Sequence, residues 1–214
     1  MDLLRVDEVV SKKENVIRMN PIEIREAVEE DLSAIYNIAC SVGYEQKDPN
    51  AGFLMDDYTE KPQYYHEFFQ EKIQKLDHFY IAESKNVLGF LLAYTKEEWL
   101  EENPTWMEEV YWNPEFDRQD IENFIVVDKI AVMAEQTGKG IGSILHKHLI
   151  HSIEEEGIED IFQEVIISPT PNLVSLAFKN KQEFSLAGFR YENYDDKLYT
   201  DLVYHKTIYD SKNN

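Results

Sequence analysis

A mixed α/β domain is the fold class this sequence predicts, and three observations predict it. Segments with two-residue alternation and segments with helical periodicity follow one another in the order β-α-α-β-β-β-α-β-α-β-β. The chain has 214 residues, 43% of them apolar, which suits one core with extensions. One strongly β-prone run passes through a glycine-rich turn straight into an amphipathic helix.

Residues 1–20 read as an N-terminal extension, because Ser11-Lys-Lys-Glu-Asn breaks the pattern before Pro21. A single domain is expected over 21–210. Ile22 and Ile24 alternate as a first strand. Glu30 or Asp31 then opens a helix with Leu32, Ile35, Ile38 and Ala39 on one face, and Gly43 stands just past its end. After an irregular stretch at 44–60, Pro62 starts a second helix with Tyr65, Phe68, Phe69, Ile73 and Leu76 on its apolar side. Residues 79–83 and 88–95 read as a hairpin across Ser84-Lys-Asn-Val. Residues 96–123 hold Trp99, Trp106, Tyr111, Trp112 and Phe116 among acids and are expected to form an insertion or long loop. Residues 124–133 are a strand, 140–156 a helix stopped by Gly157, and 165–168 a strand; Pro171-Asn172 opens another helix. Gly188-Phe189 precedes a last pair of strands near 190–194 and 199–208.

The charge balance narrows the function classes. Asp and Glu number 42 against 21 Lys and Arg, a net charge of −21. Such a surface repels phosphate backbones and argues against nucleic acid as a partner. It would attract cationic substrates, or serve solubility alone, so charge by itself names no substrate. No run reaches the ~18 apolar residues of a membrane span. The first residues are acidic where a signal peptide needs a basic region. Cys40 is the only cysteine, which excludes an intrachain disulfide and a cysteine zinc cluster. Together these predict a cytoplasmic protein.

The segment with most chemistry is Val126-Val-Asp-Lys-Ile-Ala-Val-Met-Ala-Glu-Gln-Thr-Gly-Lys-Gly-Ile-Gly-Ser-Ile-Leu. Three glycines at alternate positions, Gly138, Gly140 and Gly142, let the backbone turn tightly and approach a ligand. The first N–H groups of the following helix lack internal partners and, with the helix dipole, form an anion site. Ser143 adds a hydroxyl and Lys139 a charge. Neither the G-x-G-x-x-G of a dinucleotide fold nor the Gly-Lys-Ser/Thr of a P-loop is present.

In this segment and its surroundings the sequence resembles the GNAT family of acetyl-CoA-dependent N-acetyltransferases. Ile24-Arg-Glu-Ala-Val-Glu-Glu-Asp-Leu resembles the family's first strand and helix entry. Asp128-Lys-Ile-Ala-Val with Gly138-Lys-Gly-Ile-Gly resembles its coenzyme motif. Pro171-Asn-Leu-Val-Ser-Leu-Ala-Phe and Gly188-Phe189 resemble its later helix and turn. The resemblance implies a central, mostly antiparallel sheet splayed at the coenzyme cleft, with helices on both faces and acetyl-CoA as co-substrate. It also implies roles by position. Ile130, Ala131 and Val132 would offer backbone groups to the pantetheine. Thr137, Gly138, Lys139, Gly140, Ile141, Gly142 and Ser143 would cradle the pyrophosphate. Asn172, Ser175 and Phe178 would lie along the pantetheine arm. The sequence departs from the family in two places. Thr137 stands where the family has Arg or Gln. Lys179, or Phe184 when counted back from Gly188, stands where many members carry the tyrosine that protonates the leaving thiolate. A lysine can serve there only if its pKa is lowered.

Asp128 falls, by two-residue alternation, on the same side as Ile130 and Val132, where a carboxylate can take a proton from an amine directly or through water. Glu164, on the next strand, is the second candidate. His146, His148 and His151 lack carboxylates or cysteines at matching spacing, so they read as surface histidines and no metal is expected. Cys40 reads as a small hydrophobe in the first helix. The acidic, aromatic stretches at 44–60 and 96–123 would flank the acceptor and suit a cationic amine, or form a lid or homodimer contact. The expected activity is acetyl transfer to a primary amine, a small molecule or a peptide N-terminus. The alternative is a catalytically weak acyl-CoA-sensing module, which the missing tyrosine favours.

Overall fold

The computed structural model describes residues 21–42, 47–118, 121–194 and 196–208. The expected extension at 1–20 and the helix stop at Gly43 lie outside the described residues. Eight strands form one sheet: β1 (Glu23–Glu26), β2 (His78–Glu83), β3 (Val87–Thr95), β4 (Tyr111–Trp112), β5 (Phe124–Val132), β6 (Asp160–Ser168), β7 (Ser185–Tyr194) and β8 (Lys197–Thr207). Their order is β1-β2-β3-β5-β6-β8-β7-β4. All neighbours are antiparallel except β5 and β6.

Helices cover both faces. α1 (Leu32–Ser41), α2 (Pro62–Lys75), α3 (Lys96–Glu102) and α4 (Trp106–Glu109) close one face. There Ile35, Phe69, Phe90, Trp106, Phe124 and Phe162 are fully or almost fully buried. α5 (Ile141–Glu155) covers the other face through Ile141, Leu145, Leu149 and Ile153, the stripe its 3.6-residue period sets out. α6 (Leu173–Lys181) runs beside it, with Phe178 edge-on to His146 of α5.

The segment 96–123 differs from the loop expected. Thr95 caps α3 by accepting from the Glu98 N–H, while the Glu98 carboxylate accepts from the Thr95 N–H, a reciprocal box that starts a helix at once. Trp99 and Trp106 then go into the core edge-to-face, and Trp106 also packs on Phe124 and Phe162. Trp99 and Trp106 are thus core residues, whereas Tyr111 stays exposed. The end of the chain also differs: Gly188 and Phe189 lie inside β7, opposite Trp112 and Tyr111 of β4, and do not precede it.

Candidate active site

β5 and β6 pair only over Phe124–Val127 against Asp160–Gln163. Beyond that point residues 129–132 stay on β3 and residues 164–168 stay on β8. The strands diverge and a cavity of about 590 Å³ opens between them. The splayed sheet implied by the resemblance is therefore present, and its cause is that each strand follows its outer partner.

One half of the cavity holds the expected coenzyme residues. Ile130, Ala131 and Val132 line it, as do Thr137, Gly138, Gly140, Ile141, Gly142 and Ser143. Gly138 and Gly140 have φ of 80° and 85°, a region costly for any L side chain. A Cβ on either would meet nothing within 4 Å, so this turn faces open space at the N-terminus of α5. That cradle fits a pyrophosphate bound by backbone N–H groups. Ser143 Oγ accepts from Gln182 Nε2 at 3.1 Å and keeps its own proton to donate. Lys139 does not line the cavity; its ammonium donates to Gln136 Oε1 at 2.7 Å.

Asn172, Ser175 and Phe178 also line this half. The Asn172 side chain is occupied at both ends. Its Oδ1 accepts from the Ser175 N–H at 3.1 Å, capping α6, and its Nδ2 donates to the Phe53 carbonyl at 2.8 Å. The Leu173 N–H donates to the Pro49 carbonyl at 3.1 Å. These bonds hold residues 49–53 against the start of α6, so Gly52 and Phe53 become a wall of the cavity.

Lys179 is buried, 7% exposed, and lines the cavity from α6. Its ammonium donates to Gln163 Oε1 and lies 5.3 Å and 5.6 Å from the ring centroids of Phe178 and Phe184. Burial pushes its pKa down to about 7. His146 is likewise fully buried, between Phe178 and Phe184, which corrects the expectation of a surface histidine. Burial, helped by Lys179 and Lys206, pushes its pKa down to about 4 and keeps it neutral. His148 lies edge-on to Tyr80, and only His151 is well exposed. Among the described residues no group of three or more His, Cys, Asp and Glu is placed to hold a metal. No helix among them is long and apolar enough to cross a membrane.

The other half of the cavity is acidic. Asp128 sits on a bulge: Leu92 pairs with Lys129 and Ala93 with Val127, leaving Asp128 unpaired. The bulge reverses the alternation. Val126 and Ala131 pack toward the α1 and α2 side, whereas Val127, Ile130 and Val132 pack toward α5. The expected common side for Asp128, Ile130 and Val132 is therefore corrected. Asp128 accepts from Lys129 Nζ at 2.7 Å, and that ammonium lies 5.5 Å from the centroid of Phe68 and 3.7 Å from Asp56. Burial opposes charge on Lys129, but Asp128 and Asp56 outweigh it and hold its pKa above the ordinary value.

Glu164 is heavily engaged. It accepts from Arg190 Nε at 2.7 Å and Nη2 at 2.9 Å, and from Trp106 Nε1 at 2.8 Å. Three donors occupy the Glu164 oxygens, whereas Asp128 accepts from Lys129, so Asp128 is the less engaged of the two expected bases. Asp56, Glu102, Glu192 and Asp201 complete the acidic lining. Sequence reasoning missed Asp56, Gln163, Arg190, Glu192 and Asp201. The signal available for Asp201 was an acid in the middle of the β-prone run 199–208.

A model of the acetyltransferase (GNAT) family matches residues 44–184. Among curated proteins none matches the chain. Solved structures share the fold. The PaiA N-acetyltransferase of Thermoplasma acidophilum, in complex with coenzyme A, is 20% identical with a TM-score of 0.57, over 87% of this chain and 99% of that one. An N-acetyltransferase of Staphylococcus aureus Mu50 is 22% identical with a TM-score of 0.57, over 88% and 99%. The ribosomal-protein-S18-alanine N-acetyltransferase of Escherichia coli is 16% identical with a TM-score of 0.57, over 91% and 98%.

Proposed function

The chain belongs to the acetyltransferase (GNAT) family, which uses acetyl-CoA as co-substrate, and from that premise we propose that it transfers the acetyl group to a primary amine of a cationic acceptor by direct attack on the thioester. The observation that carries this reading is the two-sided cavity: a glycine cradle at a helix N-terminus on one side, carboxylates on the other.

The ammonium form of the acceptor enters the acidic half and loses a proton to Asp128, directly or through water. The freed lone pair attacks the thioester carbonyl carbon. A backbone N–H of β5 in the unpaired stretch facing the gap polarises the carbonyl oxygen as it gains charge. The C–S bond then breaks. Lys179, with a pKa of about 7, donates its proton to the departing thiolate, whose ordinary pKa is about 8.5. In this reading Lys179 takes the place of the tyrosine common in the family. Proximity in the cavity supplies much of the remaining rate.

The test is release of free thiol from acetyl-CoA across a panel of primary amines, with product mass confirmed. Turnover with at least one amine is expected. Asp128→Asn should lower kcat by about a hundredfold or more, the range that general acid–base catalysis supplies. Lys179→Ala should lower kcat by roughly tenfold to a hundredfold and remove the fall in kcat above pH 7. A folded, CoA-binding protein that turns over no amine would refute the reading.

A further inference from the structure

Asp201 is the one buried carboxylate in the cavity that the mechanism above does not use. It lies in β8 with Ile166 of β6 on one side and Arg190 of β7 on the other, and it lines the acidic half. The residue is 3% exposed, and its Oδ2 has no hydrogen-bond partner. An unpaired buried carboxylate oxygen is costly, and native proteins seldom keep one without a use.

Nearby Arg190 cannot serve it. Its Nε and Nη2 are spent on Glu164, its Nη2 also on Glu192 at 2.9 Å, and its Nη1 faces Glu109 at 3.6 Å. Three other carboxylates already share that guanidinium. The acidic half as a whole has six carboxylates, against Lys129 and Arg190 in its lining and Lys72, which is paired with Glu102. One attacking ammonium at Asp128 leaves this excess uncompensated.

We propose that Asp201 is a specificity-determining residue that binds a second ammonium group of the acceptor, so that diamines are preferred to monoamines. The inference rests on the acetyltransferase reading but concerns a different group and has its own readout. A donor placed at Oδ2 satisfies the orphan atom, and a positive charge there offsets Glu164 and Glu192 as well.

Titration supports the same arrangement. Burial, followed by Glu164 and Glu192, pushes the Asp201 pKa up to about 7, and Arg190 only partly opposes this. The groups around it are Glu164 from β6, Arg190 and Glu192 from β7, Glu109 from α4 acting on Arg190, and Asp128 on the facing strand β5. Below pH 7 Asp201 is largely protonated and attracts a cation weakly. Preference for a diamine therefore grows from pH 6 to pH 8.

The experiment compares KM for a diaminoalkane series, from propane to hexane, with KM for n-butylamine and 4-aminobutanol. At least one diamine is expected to have a KM about tenfold or more below that of n-butylamine at pH 8, with the ratio shrinking at pH 6. In Asp201→Asn, checked for folding by its melting curve, the ratio should fall to within about threefold. Equal KM for diamines and n-butylamine in the unaltered protein overturns the proposal without needing any variant. So does a preference for 4-aminobutanol equal to that for the diamine, since a neutral donor then suffices. If no amine is turned over, the acetyltransferase reading fails, and calorimetry of the diamines on the CoA-loaded protein still decides the present one. Diamine binding that Asp201→Asn weakens supports it, and absence of binding overturns it.

Discussion

Lys179 joins stability to chemistry in one side chain. Its folded pKa of about 7 lies below the ordinary 10.5 because burial disfavours the ammonium. Between pH 7 and 10.5 the unfolded chain holds this proton and the folded chain releases it, so this residue makes stability rise with pH across that window. Below pH 7 both states are protonated and the full penalty persists. Lys179→Met should therefore stabilise the fold at pH 7, by a few °C in Tm if the gain is about 1–2 kcal/mol. The gain should shrink toward pH 10.5. Melting curves at pH 6, 7, 8.5 and 10 check this, and a gain that is constant with pH would show that packing alone is responsible. Position 179 was singled out in the sequence by the resemblance, which puts the family's tyrosine there when counted from Asn172. Its pKa was not, since the burial comes from Phe178, Phe184 and Gln163, which only the fold brings together. Asp128 was legible in identity but not in direction. A bulge adds a residue without changing composition, so alternation counted along β5 cannot detect it.

At the scale of elements, the strands that build the acceptor side depend on a close approach between β4 and β7. A Cβ at Gly188 would lie 2.7 Å from the Tyr111 carbonyl oxygen and 2.9 Å from Val110 Cγ1. Both neighbours are held, one by backbone and one by a buried side chain. Gly188→Ala should cost roughly 1–3 kcal/mol, the range for overpacking. Because β7 also carries Arg190 and Glu192, acceptor KM should rise while CoA affinity stays within about twofold. Titration calorimetry with CoA and amine kinetics separate the two effects. The converse belongs to α5. A Cβ at Gly142 would meet Phe178 at 3.7 Å and Ile130 at 4.0 Å, inside the cavity wall. Gly142→Glu adds bulk and negative charge at the pyrophosphate cradle, and CoA affinity should fall at least about tenfold. Unchanged affinity in a folded variant would remove the cradle from the site. The helices and strands around this cradle were legible because glycine spacing and apolar stripes are local signals. The segment 96–123 was less so. Its tryptophans are buried by contacts with Phe124 and Phe162 on distant strands, and an acidic, aromatic composition alone does not distinguish a lid from a core helix.

The whole molecule has a net charge of −21, and under the proposed function its two substrates have opposite signs. Self-repulsion of such a surface weakens the compact state, and salt screens it, since the Debye length falls from about 30 Å at 0.01 M to about 3 Å at 1 M. Added sodium chloride should therefore raise Tm. The same screening acts in opposite directions on the two ligands. A cationic amine is drawn in by the net field and by the acidic half of the cavity, so its KM should rise with salt. Acetyl-CoA is an anion that must approach an acidic protein, and the proposed cradle offers it backbone N–H groups at the start of α5, with Lys181 nearby on the cavity wall. Screening lowers the barrier to its approach and weakens only the local attraction, so its KM should stay level or fall between about 0.01 M and 0.3 M salt. Steady-state kinetics with each substrate varied in turn, at those two ionic strengths, read both effects. If the amine KM is indifferent to salt while the acetyl-CoA KM rises, the acidic half does not recruit the acceptor, and the negative surface serves solubility alone.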